Sequence, residues 1–196
     1  MNSPVSKNML NVSADYPDLR DRYYQPNLTP LKPFIDPPGN LVILDQGKDG
    51  ACTGFALAAT INFIYRQQGR KHTVSPWMLY AMAKRHDEWL GEAYEGSSCR
   101  GAIKGWYNSG VCHASLTEDI THSNEFEMSL AIANNASNHR LGAYYRIERE
   151  IRDFHAALNE VGVIFVSARI HEGWNNCEGD TITLRPEPMG GHAFAI

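Results

Sequence analysis

The apolar stretch from Cys52 to about Gln68 constrains the fold of this chain more than any other segment. It is rich in alanine and in large apolar side chains, and Gly69 follows it directly. Small residues within it, such as Ala56 and Ala58, would let neighbouring elements approach closely. A glycine just past the last apolar residue is a common helix end. The stretch therefore predicts a buried central helix that begins at Cys52.

Helix signals come early in the rest of the chain, and strand signals come late. Ser75 followed by Pro76 is a typical helix start, because serine caps the first turn and proline is tolerated at the first helical position. The β-branched run VGVIFVSARI is typical of a buried strand. In chain order we predict an extended segment or strand at 41–47, helices at 52–68, 75–89, 98–107 and 148–159, a polar stretch at 121–142, and strands at 161–170 and 190–196.

The order of these elements predicts the domain organisation. Five prolines between residues 26 and 38 forbid a long helix there, so residues 1–40 are predicted to form an extended arm laid over a folded body. Helices followed by strands indicate an α+β fold with two lobes. We predict one body at 41–196, with a helical lobe at about 41–120 around the Cys52 helix and a β-rich lobe at about 121–196.

Charge and hydropathy exclude several classes of partner. The formal net charge is −4 and the pI is near 6.0, whereas binding to nucleic acids or anionic membranes requires a basic stripe. The N-terminus lacks the apolar core of a secretory signal, and the most apolar windows are far shorter than the ~18 residues of a membrane span. We therefore predict no nucleic-acid or membrane partner and a cytoplasmic location, which leaves non-classical export as an effector open.

The cysteines and histidines do not predict a metal site. The four cysteines contain no CxxC pair, so neither a disulfide framework nor a structural zinc site is expected. Most histidines other than His192 are flanked by polar residues, which predicts surface positions, and only His171 is a rival catalytic base. We predict no metal and no cofactor. The cysteines are Cys52, Cys99, Cys112 and Cys177, and these other histidines are His72, His86, His113, His122, His139, His155 and His171.

Cys52 stands at a position where a helix would activate it. The positive end of a helix dipole favours the thiolate, which is the nucleophilic form of cysteine. The preceding loop, residues 46–51, has two glycines that allow a tight turn into the helix. Gln46 lies six residues ahead of Cys52 and carries an uncharged amide donor. We predict a low pKa for Cys52 and an oxyanion site made of the Gln46 amide and the Cys52 backbone N–H.

Two motifs place Cys52 and His192 at a separation of 140 residues, the segment QGKDGACTGFA at 46–56 and the segment GHA at 191–193. The first resembles the Q-G-x-C-G-S-C-W-A-F-[SA] segment of the papain and cathepsin peptidases. The second resembles their N-H-A-V or G-H-A-V segment, and the separation falls in the family range of about 130–150 residues. Intermediate blocks such as VSPWMLYAMAK are similar in the same order, so the resemblance spans residues 41–196.

The resemblance implies a papain-like cysteine endopeptidase that acts on a protein or peptide substrate. Cys52 would be the nucleophile, His192 the general base and then acid, and Gln46 the oxyanion donor. Gly96 with Ser97 would bind substrate backbone in a strand-like manner, and Gly191 would border the cleft unless it is a plain turn glycine. The same chemistry also fits an amidase, deamidase or acyl transferase acting on protein side chains. A catalytically inactive papain-like binding module is the third alternative.

The chain departs from the family pattern in several places. Asp49 stands where the family has a cysteine, and residues 94–95 lack its disulfide partner, which fits a reducing compartment. Thr53 replaces an aromatic residue, and the 45 residues before Gln46 are too few for a long inhibitory propeptide. The family's orienting Asn lies beyond the histidine, whereas four residues follow His192. We therefore expect further C-terminal residues or domains in the native chain, including missing strands, unless Asn175 or Asn176 has taken the orienting role.

Overall fold

The computed structural model describes residues 10–36, 39, 41–87, 95–175 and 181–196. Helices and strands are both present, and the fold belongs to the α+β class, as the sequence predicts. Short 3-10 turns lie at Ala114–Leu116, Ser123–Glu125 and Glu172–Asn175. The regular elements are β1 (Val12–Ser13), α1 (Cys52–Gln67), α2 (Pro76–His86), β2 (Ser97–Ser98), α3 (Cys99–Ser109), α4 (Leu130–Ser137), α5 (Ile151–Val161), β3 (Phe165–His171) and β4 (Pro188–Ala195).

The predicted central helix is confirmed, and α1 begins at Cys52. Its apolar side chains, including Leu57, Ile61 and Tyr65, form the main core with residues of α2 and α3. Gly54 gives the closest approach to α2, because a Cβ there would lie 2.5 Å from the carbonyl oxygen of Pro76. The sequence had pointed to Ala56 and Ala58 for this role. α1 thus holds its first turn in a fixed place at the centre of the molecule.

The serine-proline start of the second helix is also confirmed. The side chain of Ser75 accepts a hydrogen bond from the backbone N–H of Met78 at 3.1 Å, and Pro76 is the first helical residue. The helix ends at His86, three residues before the predicted end, and residues 88–94 lie outside the described part of the chain. Its capped start fixes α2 against α1.

The second half contains more helix than the predicted β-rich lobe implies. The polar stretch at 121–142 holds α4, and the helix predicted at 148–159 begins at Ile151 and ends at Val161. β3 and β4 form an antiparallel pair in which His192 lies opposite Ala168. Of the extended segment or strand predicted at 41–47, the strand does not form, because residues 41–46 have no regular structure and Ile43 is 92% exposed.

The N-terminal arm is fastened to the body by buried charges. Asp21 forms a buried ion pair with Arg100 of α3 and a second ion pair, at 3.0 Å, with Arg146. The Arg100 hydrogen bond lowers the pKa of Asp21 to about 2 against the opposing effect of burial. Its contribution to stability is therefore present above the ordinary carboxyl pKa of about 3.9 and is lost as the pH falls towards 2. At neutral pH this carboxylate holds the arm in place.

Candidate active site

Cys52 lies at the first turn of α1 and is almost completely buried, with 1% of its surface exposed. The N-cap residue, Ala51, provides no side-chain hydrogen bond to the helix end. Amide groups of an uncapped first turn are donors without intrahelical partners, and they favour negative charge close to them. The thiol therefore sits where both a thiolate and a developing oxyanion would find backbone donors.

β4 carries His192 to the same place. Ala193, the next residue, packs in a buried cluster with Cys52, Ala56 and Cys99. The ring of His192 is stacked with that of Phe194 at a centroid distance of 6.2 Å. Its Nδ1 atom is buried and has no hydrogen-bond partner among the described residues, so it is not bonded to the Cys52 thiol in this structure. The fold thus places Cys52 beside Ala193, the residue that follows His192 on β4.

Burial keeps both groups neutral in this arrangement. It raises the pKa of Cys52, although backbone N–H groups of Ala193, Thr53 and Cys52 itself act in the opposite direction. It also lowers the pKa of His192. Both directions oppose a thiolate–imidazolium pair. The low pKa predicted for Cys52 is therefore not found in this arrangement.

The loop before α1 is fixed by hydrogen bonds. The side-chain nitrogen of Gln46 donates to the carbonyl oxygen of Asp49 at 2.7 Å. The Asp49 carboxylate accepts from the backbone N–H of Ser123 at 2.6 Å and lies 3.4 Å from Nδ1 of His122. Burial alone would raise the pKa of Asp49, but these hydrogen bonds lower it below its usual value. Asp49 thus anchors the loop at the position where the papain and cathepsin peptidases, which the sequence resembles, have a disulfide-bonded cysteine.

Gly96 and Ser97 line the opposite side of the site. The buried hydroxyl of Ser97 lies 2.5 Å from that of Thr53, the residue after Cys52. The Gly96 backbone N–H bonds to the Tyr80 hydroxyl, which partly offsets the burial that raises the pKa of Tyr80 to about 12. Gly96 and Ser97 are therefore tied directly to α1 and α2, the two helices behind the site.

The N-terminal arm occupies the groove between these two sides. Val12 and Ser13 pair in parallel with Ser97 and Ser98, while the carbonyl of Leu10 accepts from Gly191 at 3.1 Å. Val12 also packs against the cluster that contains Cys52. Sequence reasoning missed this segment because it is short and shows no periodicity.

Glycines make this close approach of the arm possible. A Cβ at Gly96 would collide with the Asn11 carbonyl, and one at Gly191 would collide with that of Val12. Gly96 also has φ +147°, which disfavours other residues. The glycines that the sequence assigned to substrate backbone therefore lie against the chain's own backbone.

Among the described residues, the Asn175 amide has a partner other than His192. The Asn175 amide donates to the Met189 sulfur at 3.3 Å, and Asn176 lies outside the described residues. The ring of Trp174 contacts that of Phe194, with centroids 5.1 Å apart, and so supports the residue on which His192 is stacked. Aromatic packing thus supports the imidazole from this side.

Solved structures with the same architecture include three cysteine proteases. Xylellain, a cysteine protease from Xylella fastidiosa, has TM-score 0.80 and 21% identity over 98% of this chain and 80% of its own. Digestive procathepsin L 3 of Tenebrio molitor larval midgut has TM-score 0.66 and 16% identity over 89% and 58%. ProCathepsin B S9 from Trypanosoma congolense has TM-score 0.71 and 16% identity over 94% and 69%. The chain has a papain-like cysteine protease fold.

The similarity to papain-like proteins lies in the three-dimensional structure, because the sequence identity to the three solved structures is only 16–21%. No protein-family model and no curated protein sequence matches the chain. Within this fold, the described cysteines Cys52, Cys99 and Cys112 are free and buried, and Cys177 lies outside the described residues. No helix in the described part of the chain is both long and apolar enough to cross a membrane.

Proposed function

We propose that the chain is a cysteine endopeptidase that cleaves protein or peptide substrates through a thioester on Cys52. The observation that carries this proposal is the groove itself. It accommodates an extended backbone against Ser97 and Gly191, directly over the cluster that contains Cys52. A site that binds a strand through main-chain hydrogen bonds suits a polypeptide substrate. The arm at 10–13 serves as the stand-in for that substrate.

Cys52 and His192 carry out the reaction in two stages. His192 takes the thiol proton as the Cys52 sulfur attacks the carbonyl carbon of the substrate. It then gives the proton to the leaving amine, the C–N bond breaks and a thioester remains. His192 deprotonates a water molecule, which attacks the thioester carbonyl; the C–S bond then breaks, the carboxylic acid leaves, and His192 returns its proton to the Cys52 sulfur. The uncapped first turn of α1 supplies the Cys52 backbone N–H to the oxyanion in both stages.

Gln46 supplies the second oxyanion donor. A side-chain amide nitrogen carries two N–H groups, and the bond to the Asp49 carbonyl uses one of them. That bond fixes the amide, and the second N–H is the one we assign to the oxyanion. Asp49 is itself held by Ser123, so the donor belongs to a rigid loop. A preorganised donor of this kind needs no rearrangement at the moment of reaction.

Replacement of Gln46 by alanine should lower kcat by roughly 10²-fold or more, because one oxyanion donor is lost. The measurement is steady-state hydrolysis of a fluorogenic peptide, with the folded state checked by circular dichroism. Lys48→Ala, on the exposed part of the same loop, is the matched control and should leave kcat unchanged. Retention of kcat within a factor of two or three in Gln46→Ala would remove this assignment.

The free thiols also bear on the compartment in which the protein works. Reduced, buried cysteines and the replacement of a family cysteine by Asp49 are typical of reducing surroundings. We therefore propose a cytoplasmic location, and a free-thiol count of four on the denatured, unreduced protein would support it.

A further inference from the structure

Three histidines from distant parts of the sequence meet beside the last turns of α1. His72 lies between α1 and α2, His113 follows α3, and His139 follows α4. One ligand nitrogen of each ring lies within 4.8 Å of those of the other two. His113 Nε2 is 3.0 Å from His139 Nε2, and the rings of His72 and His113 are stacked with centroids 4.1 Å apart. The sequence had predicted surface positions, but all three are half-buried.

Backbone hydrogen bonds hold this cluster in place. The N–H of His113 donates to the side-chain oxygen of Asn135 at 2.9 Å. The carbonyl of His139 accepts from Trp106 Nε1 at 2.9 Å and from the Val111 N–H at 3.2 Å. The segment before α2 is joined to the His113 segment by an antiparallel bridge. The backbone segments that carry the three imidazoles are therefore held in place independently of the contacts between the rings.

One ring nitrogen that could face an ion is unsatisfied. Nε2 of His72 is buried and has no hydrogen-bond partner among the residues that the structure describes. Nδ1 of His139 is also buried without a partner, but it belongs to a ring whose Nε2 faces His113, so it is not a second ligand for the same ion. A buried polar atom without a partner is costly, and such atoms in folded proteins usually serve a purpose. Nitrogens of three half-buried rings that lie this close together are suited to a metal ion.

Neutral imidazole is the form of histidine that binds metals. Burial, followed by the charge of His113, lowers the pKa of both His72 and His139. Arg70 also faces the cluster, with its guanidinium 4.5 Å above the ring of Tyr65. Its charge acts in the same direction on the two histidines and would repel a bound cation.

We propose that His72, His113 and His139 form a binding site for a divalent transition-metal ion of the Zn²⁺, Cu²⁺ or Ni²⁺ class. Imidazole ligands select these ions, and three histidines with an open fourth position are a known zinc arrangement. Nitrogens bound at about 2.0–2.1 Å around a tetrahedral ion are roughly 3.3 Å apart. The His113–His139 pair already approaches that spacing, and rotation of the His72 ring would complete it.

The proposed metal site is separate from the catalytic centre. Cys52 lies at the start of α1, and Tyr65, which contacts the ring of His72, lies thirteen residues along it. At 1.5 Å per residue the two ends are about 20 Å apart. A metal here would join the α1–α2 connection to the segments after α3 and α4. The proposal therefore stands independently of peptidase activity.

The test is titration of the Cys52→Ala variant of the full chain with ZnCl₂ by calorimetry, because the candidate nucleophile is then removed as a competing ligand. We expect one equivalent of zinc and a rise in melting temperature that EDTA reverses. CoCl₂ should give visible absorption bands without the near-ultraviolet thiolate bands that Cys99 or Cys112 would produce. These signals identify nitrogen ligands without any assay of activity.

His139→Ala or His72→Gln is then added to the Cys52→Ala chain. Loss of a residue that only supports a metal ligand costs roughly 10- to 100-fold in metal affinity, so loss of a ligand should weaken zinc binding by at least that much. His155→Ala removes an exposed histidine of α5 and is the matched control, which should bind as the parent does. Two ligand variants are used so that a folding defect in one, detected by circular dichroism, leaves the other informative. Absence of binding, or binding that survives both ligand variants, would overturn the proposal.

Discussion

Replacement of Cys52 by alanine should abolish peptide hydrolysis, with a loss of at least about 10⁴-fold in kcat. The reason is that the Cys52 sulfur forms the thioester, whereas burial raises the pKa of Cys99, the other described thiol of the same cluster, and so keeps it in the unreactive thiol form. His192→Ala should cause a loss of similar size, and the double variant should be no worse than either, because the two residues act as one unit. The measurement is cleavage of a fluorogenic peptide, made in the full chain and in a chain without residues 1–13.

Cys112→Ala is the matched control for that loss. Cys112 is as buried as Cys52 but belongs to a cluster with Met78 and Ile132, away from the groove. Its replacement should leave kcat within a factor of two or three. Activity that survives in Cys52→Ala, or falls equally in Cys112→Ala, would contradict the assignment of the nucleophile.

Removal of residues 1–13 should raise kcat/KM by roughly 10- to 100-fold. The segment 10–13 occupies the groove. The apparent dissociation constant of a substrate equals its intrinsic value divided by the fraction of molecules in which the site is free, so an occupied groove weakens binding. The gain should appear mainly in KM, because saturating substrate displaces the tethered strand. Asp21 and its ion pair with Arg100 remain in this variant, so the rest of the arm stays attached.

A chain without residues 1–9 is the matched control, since it keeps the strand formed by Val12 and Ser13. It should show the KM of the full chain. An equal gain in both shortened chains, or no gain in either, would show that the strand at 10–13 does not compete with substrate. Loss of the strand should also admit water to Cys52, which reduces the burial that raises its pKa.

The sequence predicted those parts of the fold whose cause is local. The start of α1 follows from its apolar composition, and the start of α2 follows from Ser75 and Pro76. The strand β3 follows from its apolar, β-branched run. By contrast, α4 buries only Ile132 and Ala136, so it leaves too weak an apolar pattern to be recognised in a polar stretch.

Features that depend on tertiary contacts could not be predicted from sequence. The extended run at 41–46 is apolar and yet largely exposed, because no neighbouring strand is available to pair with it among the described residues. The meeting of His72, His113 and His139 depends on three loops, and flanking polar residues gave no hint of it. The arm at 10–13 is recognised only through its pairing with Ser97.

The most direct test of the account is rapid acid quenching of the chain without residues 1–13 after mixing with a peptide ester. Intact and peptide-level mass measurement should find one acyl group per chain, attached to Cys52 and to no other residue. Cys52→Ala should show none, and His192→Ala should accumulate it slowly and release it slowly, because His192 assists both stages. An acyl group on another residue, or hydrolysis of the ester with no acyl group on Cys52 at any quench time, would contradict the account.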